Sequence, residues 1–279
     1  MPIHPRSRSA AVARSVALLS ALAAPLAAQA IIIRHDVPDQ AYRDRGNLPD
    51  FAAVGFVSDN LTGTLIGKKW ILTAAHVGLP QRTYVDIGGR RVFTSRVLVN
   101  PGFNINNVNA FDMQLLELEQ EINDITPLNI FTGNLAAGRD VTKVGFGTTG
   151  TGLVGQTSIT RGTKRASNDR FSGFQNDLVG TAFDAPTTPG ASPLEGQASA
   201  GDSGGPMLVL EAGQWQIAGM MLTVSPNNQG ALDRYGASTW GSQVNLQLDW
   251  IRSVTGIPAP GPAALAALGL LLAARRARR

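Results

Sequence analysis

The chain has 279 residues, of which 43% are hydrophobic and 16% charged, with 31 glycines, 16 prolines and no cysteine. That length suits one large domain or two small ones, and the missing cysteines exclude disulfide staples, thiol catalysis and zinc–cysteine sites. The formal charge of +4 sits at the ends: Arg6, Arg8 and Arg14 precede residue 31, and Arg275, Arg276, Arg278 and Arg279 close the chain, leaving 17 basic against 20 acidic residues between them, a net −3. A body of that sign has no electrostatic footprint for nucleic acid. His4, His35 and His76 are the only histidines, and no His/Asp/Glu cluster has metal-ligand spacing, so neither a metal nor another cofactor is expected.

Residues 1–30 read as a secretory signal. Arg6, Arg8 and Arg14 form its positive region, residues 16–26 its apolar region, and Ala28-Gln29-Ala30 a small-residue cleavage site. The apolar run is shorter than the roughly 20 residues of a membrane span. At the other end Ile257-Pro258-Ala259-Pro260 precedes an apolar run at 263–274 and the arginine cluster. This tail, 256–279, resembles the PEP-CTERM class of bacterial sorting signals, with Pro-Ala-Pro in place of Pro-Glu-Pro. The resemblance implies a segment held transiently or stably in the membrane and a sorting or processing enzyme as partner; a plain C-terminal anchor is the alternative. Both readings place the body of the chain outside the cytoplasmic membrane, secreted or in the cell envelope.

Between the ends, many glycines and prolines with low charge predict an all-β chain of short strands joined by turns. Ile31-Ile32-Ile33 is apolar and reads as an edge strand or as the tail of the signal. Residues 36–50 are polar and read as an extended lead-in. Strands follow at 51–58, 62–66 and 70–74, with turns at Asp59-Asn60 and Gly67-Lys68-Lys69, and the last strand runs into His76. Residues 84–87 and 91–99 alternate as strands, and the Asn- and Gly-rich stretch 100–110 reads as a loop delivering Phe111-Asp112. Residues 113–118 form the next strand, and 125–131 cross to a second half that starts at 141–146. Residues 147–155 read as turns. Arg161, Lys164, Arg165 and Arg170 read as a solvated basic loop, and 177–194 as a Pro/Thr/Gly-rich rim. Residues 207–210, 215–222 and 236–244 supply the last strands.

The densest chemical signal is Gly201-Asp202-Ser203-Gly204-Gly205-Pro206. A serine among glycines, beside an acid and ahead of an apolar strand, can sit in a turn whose backbone N–H groups converge on one point, as a developing oxyanion requires. With Thr73-Ala74-Ala75-His76-Val77 and Phe111-Asp112-Met113, this stretch resembles the chymotrypsin-like (trypsin-fold) serine proteases. His76, Asp112 and Ser203 stand in that order, 36 and 91 residues apart. The resemblance covers about residues 31–253, and residues 246–252 resemble the family's closing helix. It implies two antiparallel six-stranded β-barrels, about 31–135 and 136–255, with the active site between them and a short C-terminal helix.

The resemblance also assigns roles. His76 would be the base, Asp112 its orienting acid and Ser203 the nucleophile, acting on a protein or peptide substrate through an acyl-enzyme. The N–H groups of Gly201 and Ser203 would hold the oxyanion. In this family a new apolar N-terminus pairs its ammonium with the acid before the nucleophile, here Ile31 with Asp202. The specificity pocket would lie near Gln197, Ala198, Thr223 and Gly236, and Gln197 at its floor does not imply cleavage after Lys or Arg. Thr223 offers the only hydroxyl near the position that supports the catalytic acid in relatives, and Ser199 stands where many relatives have cysteine. Relatives often join the positions of Leu61 and Val77 by a disulfide, which apolar packing replaces here. Gly201-Asp202-Ser203-Gly204-Gly205 also fits the nucleophile elbow of α/β-hydrolases, but that fold needs a histidine after the serine and none follows His76. The rival from another class is a binding or adhesion protein, displayed at the envelope, that keeps the fold with little or no activity.

Overall fold

The computed structural model describes residues 30–257 except 107–110 and Asn176. The expected signal before residue 30 and the sorting tail beyond Ile257 lie outside the described residues. Among those described, no helix is long and apolar enough to cross a membrane.

The chain opens with β1 (Ile32–Ile33) and helix α1 (Asp39–Gly46), followed by a 3-10 turn at Pro49–Phe51. The helix corrects the extended lead-in expected for 36–50. Asp39 lies in its first turn and Arg43 and Arg45 in its last, matching the charge preference of the helix dipole. Tyr42 is fully buried, and Asp39 takes both Nε and Nη2 of Arg165. The fully buried Arg165 is thus the staple of α1, not a member of a solvated loop. Tertiary contacts, invisible to a periodicity count, decide both points.

Six strands then close the first barrel: β2 (Val54–Val57), β3 (Leu61–Gly67), β4 (Trp70–Thr73), β5 (Tyr84–Ile87), β6 (Arg90–Val99) and β7 (Gln114–Leu118), in the order β2-β3-β4-β7-β6-β5. Along β6, Val92 and Thr94 face inward, then Val97, because a bulge between Thr94 and Arg96 shifts the alternation by one residue. The connector carries β8 (Asn129–Ile130). The second half comprises β9 (Asp140–Gly145), β10 (Thr149–Thr151), β11 (Gly155–Ser158), β12 (Arg165–Gln175), β13 (Leu178–Ala182), β14 (Gly196–Gln197), β15 (Pro206–Glu211), β16 (Gln214–Ser225) and β17 (Ser238–Gln243). Strands β15-β9-β12-β13-β17-β16 form a second six-stranded antiparallel barrel, closed by the β15–β16 pairing, with β8 added in parallel to β16. The hairpin β10–β11, in the stretch expected to be turns, and β13, inside the expected rim loop, are both strands.

A third sheet, β11-β10-β1-β14, ties the start of the chain to the second half: Ile32 pairs with Gly150 on one side and Gln197 on the other. Residues 31–33 therefore sit with the second barrel rather than the first. The closing helix α2 (Leu248–Thr255) ends at Gly256, whose left-handed φ of 66° suits a C-cap glycine. One apolar cluster runs through both halves, joining Leu65, Leu72 and Leu115 to Leu208, Met220 and Ile251. Leu61 is buried in this cluster and Val77 packs against it, so apolar packing does occupy those two positions.

Candidate active site

Antiparallel pairing of β4 with β7 places Thr73 opposite Gln114, so His76, three residues beyond, and Asp112, two residues before, emerge at one barrel end. Gln114 strengthens that end by donating its side-chain amide to the Ala74 carbonyl at 2.6 Å. The fully buried Asp112 carboxylate accepts the backbone N–H of Ala75 (2.9 Å) and His76 (2.8 Å) through Oδ1, and meets His76 Nδ1 at 2.7 Å through Oδ2. An ionised carboxylate only accepts, so Nδ1 carries the proton and Nε2 is left as an acceptor. The Ser203 hydroxyl lies 3.1 Å from Nε2, oriented to donate to it. Residues 36 and 91 positions apart in the chain thus form one hydrogen-bonded row.

The turn carrying Ser203 is fixed by two glycines. Gly201 (φ 100°) and Gly204 (φ 83°) occupy backbone conformations unfavourable to other residues, and a Cβ on Gly204 would fall 2.3 Å from the Thr62 carbonyl oxygen. Thr62 spans the two barrels here. Its N–H donates to Ser203 O (3.1 Å), and its Oγ1 donates to Gly201 O (3.0 Å) and accepts Phe146 N–H (3.0 Å).

Asp202 is fully buried beneath the turn, and burial pushes its carboxyl above the usual carboxylate range. Four donors meet it: Gly147 N at 2.9 Å on Oδ1, then Ser199 N at 2.9 Å, Ser199 Oγ at 2.9 Å and Ile31 N at 3.3 Å on Oδ2. The Ile31–Asp202 pair expected from the resemblance is in contact, in a chain where the fully buried Ala30 still precedes Ile31. Ser199 and Thr62 escaped the reading of the sequence as site builders, because a lone hydroxyl residue has no pattern to mark it.

A cavity of about 660 Å³ adjoins Ser203, with Ala198, Met221, Leu222, Val224 and Leu232 among its walls. Of the four residues expected to shape a pocket, Ala198 and Thr223 line this cavity. Gln197 is fully buried behind it, giving its amide N–H to Leu232 O (3.4 Å) and accepting from Thr239 Oγ1 (3.1 Å). Gly236 is not in the lining; its N–H donates to Phe183 O. Thr223 is exposed in the wall and gives no bond to Asp112, whose described partners are two backbone N–H groups and the imidazole.

Two closed antiparallel barrels with a His–Asp–Ser row at their junction define a class of protein. Residues 43–250 match the sequence model of the trypsin family, and the chain belongs to that family. Among curated relatives, the chymotrypsin-like elastase family member 1 of Homo sapiens is 27% identical over 217 residues, covering 69% of this chain and 80% of its own. The Rattus norvegicus counterpart is 28% identical over 217 residues, with 69% and 77% covered. The solved structure of neuropsin, a serine protease expressed in the limbic system of mouse brain, shares the fold with a TM-score of 0.59 at 16% identity, over 75% of this chain and 96% of that one.

Proposed function

We propose that the chain is an exported serine endopeptidase acting through His76, Asp112 and Ser203. The observation that carries this reading is the His76 ring bridging Asp112 and Ser203 at 2.7 and 3.1 Å, beside a turn whose Gly201 and Ser203 N–H groups have no partner among the described residues. Ser203 Oγ forms a bond to the scissile carbonyl carbon as its proton passes to His76 Nε2. The free N–H groups take the oxyanion, and the imidazolium then protonates the leaving amine as the C–N bond breaks. Water, deprotonated by the same ring, releases the acyl group. Asp112 keeps Nδ1–H oriented and stabilises the imidazolium. A fluorophosphonate probe should label Ser203 in the wild-type protein and label His76→Ala far more slowly. A correctly folded wild type that does not label would favour the non-enzymatic binding reading.

We infer further that cleavage after Ala30 completes the site, with the new Ile31 ammonium pairing with Asp202. Two observations support this. Ile31 N already lies on the Asp202 carboxylate, and Ile31 has φ of 60°, a left-handed conformation costly for a β-branched residue. That dihedral exists only while Ala30 is attached, so hydrolysis removes the strain as it converts a neutral donor into a cation for a buried acid. N-terminal sequencing of exported protein should return Ile-Ile-Ile. A secreted, active form beginning well away from Ile31 would overturn this part alone.

A further inference from the structure

We propose that Arg161 is a positioning residue for the oxyanion-binding peptide, clamping Ala200–Gly201 so that the Gly201 N–H stays turned to the cleft; this rests on the protease reading above. In a trans peptide the C=O and N–H point in opposite directions, so anchoring one aims the other. The Ala200 carbonyl accepts two bonds, from Thr148 N–H (2.8 Å) and Arg161 Nε (3.1 Å). Gly201 N–H therefore faces away from both anchors, and no described group takes it. The peptide before Ser203 follows the same logic, since Asp202 O accepts Gly205 N–H at 2.9 Å and leaves Ser203 N–H free.

The second peptide is anchored inside its own turn, whereas the first depends on groups from elsewhere. Arg161 comes from the segment between β11 and β12, which is docked where Gly162 N–H donates to Phe146 O (2.8 Å). Its Nη1 donates to Asn60 Oδ1 (2.7 Å) at the β2–β3 turn of the first barrel. The side chain then lies directly on Gly201: a methyl built there would come within 2.7 Å of Arg161 Cδ and 2.9 Å of Nε. With Thr62 Oγ1 holding Gly201 O at 3.0 Å, both carbonyls flanking the Gly201 N–H are fixed by side chains. Without Arg161 the Ala200 carbonyl keeps only Thr148 N–H, and Gly201 (φ 100°) is a residue whose lack of a side chain permits the flanking peptide to rotate. Such a rotation would present a carbonyl where the oxyanion needs a donor.

The test uses purified wild type, Arg161→Ala, Arg161→Lys and Asn60→Ala, assayed on an apolar peptide ester and against a peptide boronate that mimics the tetrahedral intermediate. Losing one oxyanion donor outright costs about 10²–10³ in rate, and Arg161→Ala removes one of two anchors of such a donor. Its kcat should fall at least about tenfold with KM within about twofold, and boronate affinity should weaken by the same factor as kcat. Arg161→Lys, which can still reach the Ala200 carbonyl, should recover part of the loss. Asn60→Ala, which cuts only the tie to the first barrel, should keep most of the activity. The proposal is overturned if Arg161→Ala stays within twofold of wild type on both readouts, or if Asn60→Ala matches its loss. It is overturned equally if the fall in kcat tracks a lowered melting temperature while boronate affinity per active site holds. A wild type inert to ester and boronate alike would overturn the protease reading instead.

Discussion

Gly204→Ala separates the two demands that the turn carrying Ser203 places on its glycine. The first is conformational: φ of 83° lies in the left-handed region, which costs a residue with a Cβ about 1–2 kcal/mol. The second is steric, because the added carbon would fall 2.2 Å from Thr73 Oγ1, 2.3 Å from Thr62 O and 2.9 Å from Ala74 N. Two of those atoms are backbone, and the third is already committed to Thr62 O at 2.8 Å, so none can retreat cheaply. Overpacking of this kind adds about 1–3 kcal/mol. Gly213, in the β15–β16 hairpin, isolates the first term: its φ is 80° and nothing lies within 4 Å of a built Cβ. Thermal unfolding by circular dichroism should therefore place Gly204→Ala below Gly213→Ala by about 2–12 °C, at 2–4 °C per kcal/mol for a domain of this size. Fluorophosphonate labelling should slow in Gly204→Ala alone, because the displaced chain at Thr73–Ala74 leads directly into His76. Equal melting temperatures for the two variants would refute the steric argument.

Three more outcomes follow from the same contacts. Asp112→Asn should lower kcat about 10⁴-fold, read as initial rate on a peptide ester, and should also lower the melting temperature, since the two backbone N–H groups of Ala75 and His76 lose an anionic acceptor. The Glu195 carboxyl is pushed up to about 8, first by burial and then by Asp169 beside it. Its folded-state pKa is therefore raised, and stability is greatest below the usual 4.5 and declines as pH rises towards 8. Glu195→Gln should accordingly gain about 1–2 kcal/mol over wild type in urea unfolding at pH 8, a figure discounted for solvent screening, and nothing at pH 4. The walls contributed by Met221, Leu222 and Val224 should favour an apolar residue before the scissile bond. On a peptide library, kcat/KM for Ala, Val or Leu should exceed that for Asp or Glu by about tenfold or more, since Asp233 also lines the cavity and an acidic side chain would meet a like charge there; an acidic preference would refute it.

The candidate site was legible in the sequence where a short motif carries its own geometry. Gly201-Asp202-Ser203-Gly204-Gly205, the strand running into His76 and the strand following Asp112 each encode a local turn or pairing, and two β-strands in register bring the ends together. The strands of the first barrel were also legible: β5 and β6 alternate because one face is buried, and β2, β3, β4 and β7, buried almost throughout, stand out as short apolar runs bounded by turns. What escaped was set by contacts between distant segments. Helix α1 has three arginine or tyrosine contacts to the second half and little amphipathic signal of its own: Tyr42 OH donates to Glu195 O, Arg45 reaches Asn168 and Thr142, and Asp39 holds Arg165. Strand β12 reads as basic loop because its inward face buries Arg165, Ser167 and Asp169 rather than aliphatic residues. Its partner Lys143 is fully buried 3.2 Å from Asp169, a polar pair that hydropathy assigns to the surface.

Thr62 explains how two barrels without a covalent bridge hold a site to hydrogen-bond tolerance. Away from the site the halves share an apolar cluster, which is strong but non-directional and permits small sliding. At the site, one fully buried threonine instead makes directional bonds to Ser203 O, Gly201 O and Phe146 N–H, and its carbonyl takes Thr73 Oγ1 from the strand that leads to His76. Any slip of one barrel against the other would break several of these together and leave buried polar groups unpaired, each costing about 1–3 kcal/mol. The spacing between the imidazole on one barrel and the hydroxyl on the other is therefore fixed by the same residue that orients the turn carrying Ser203.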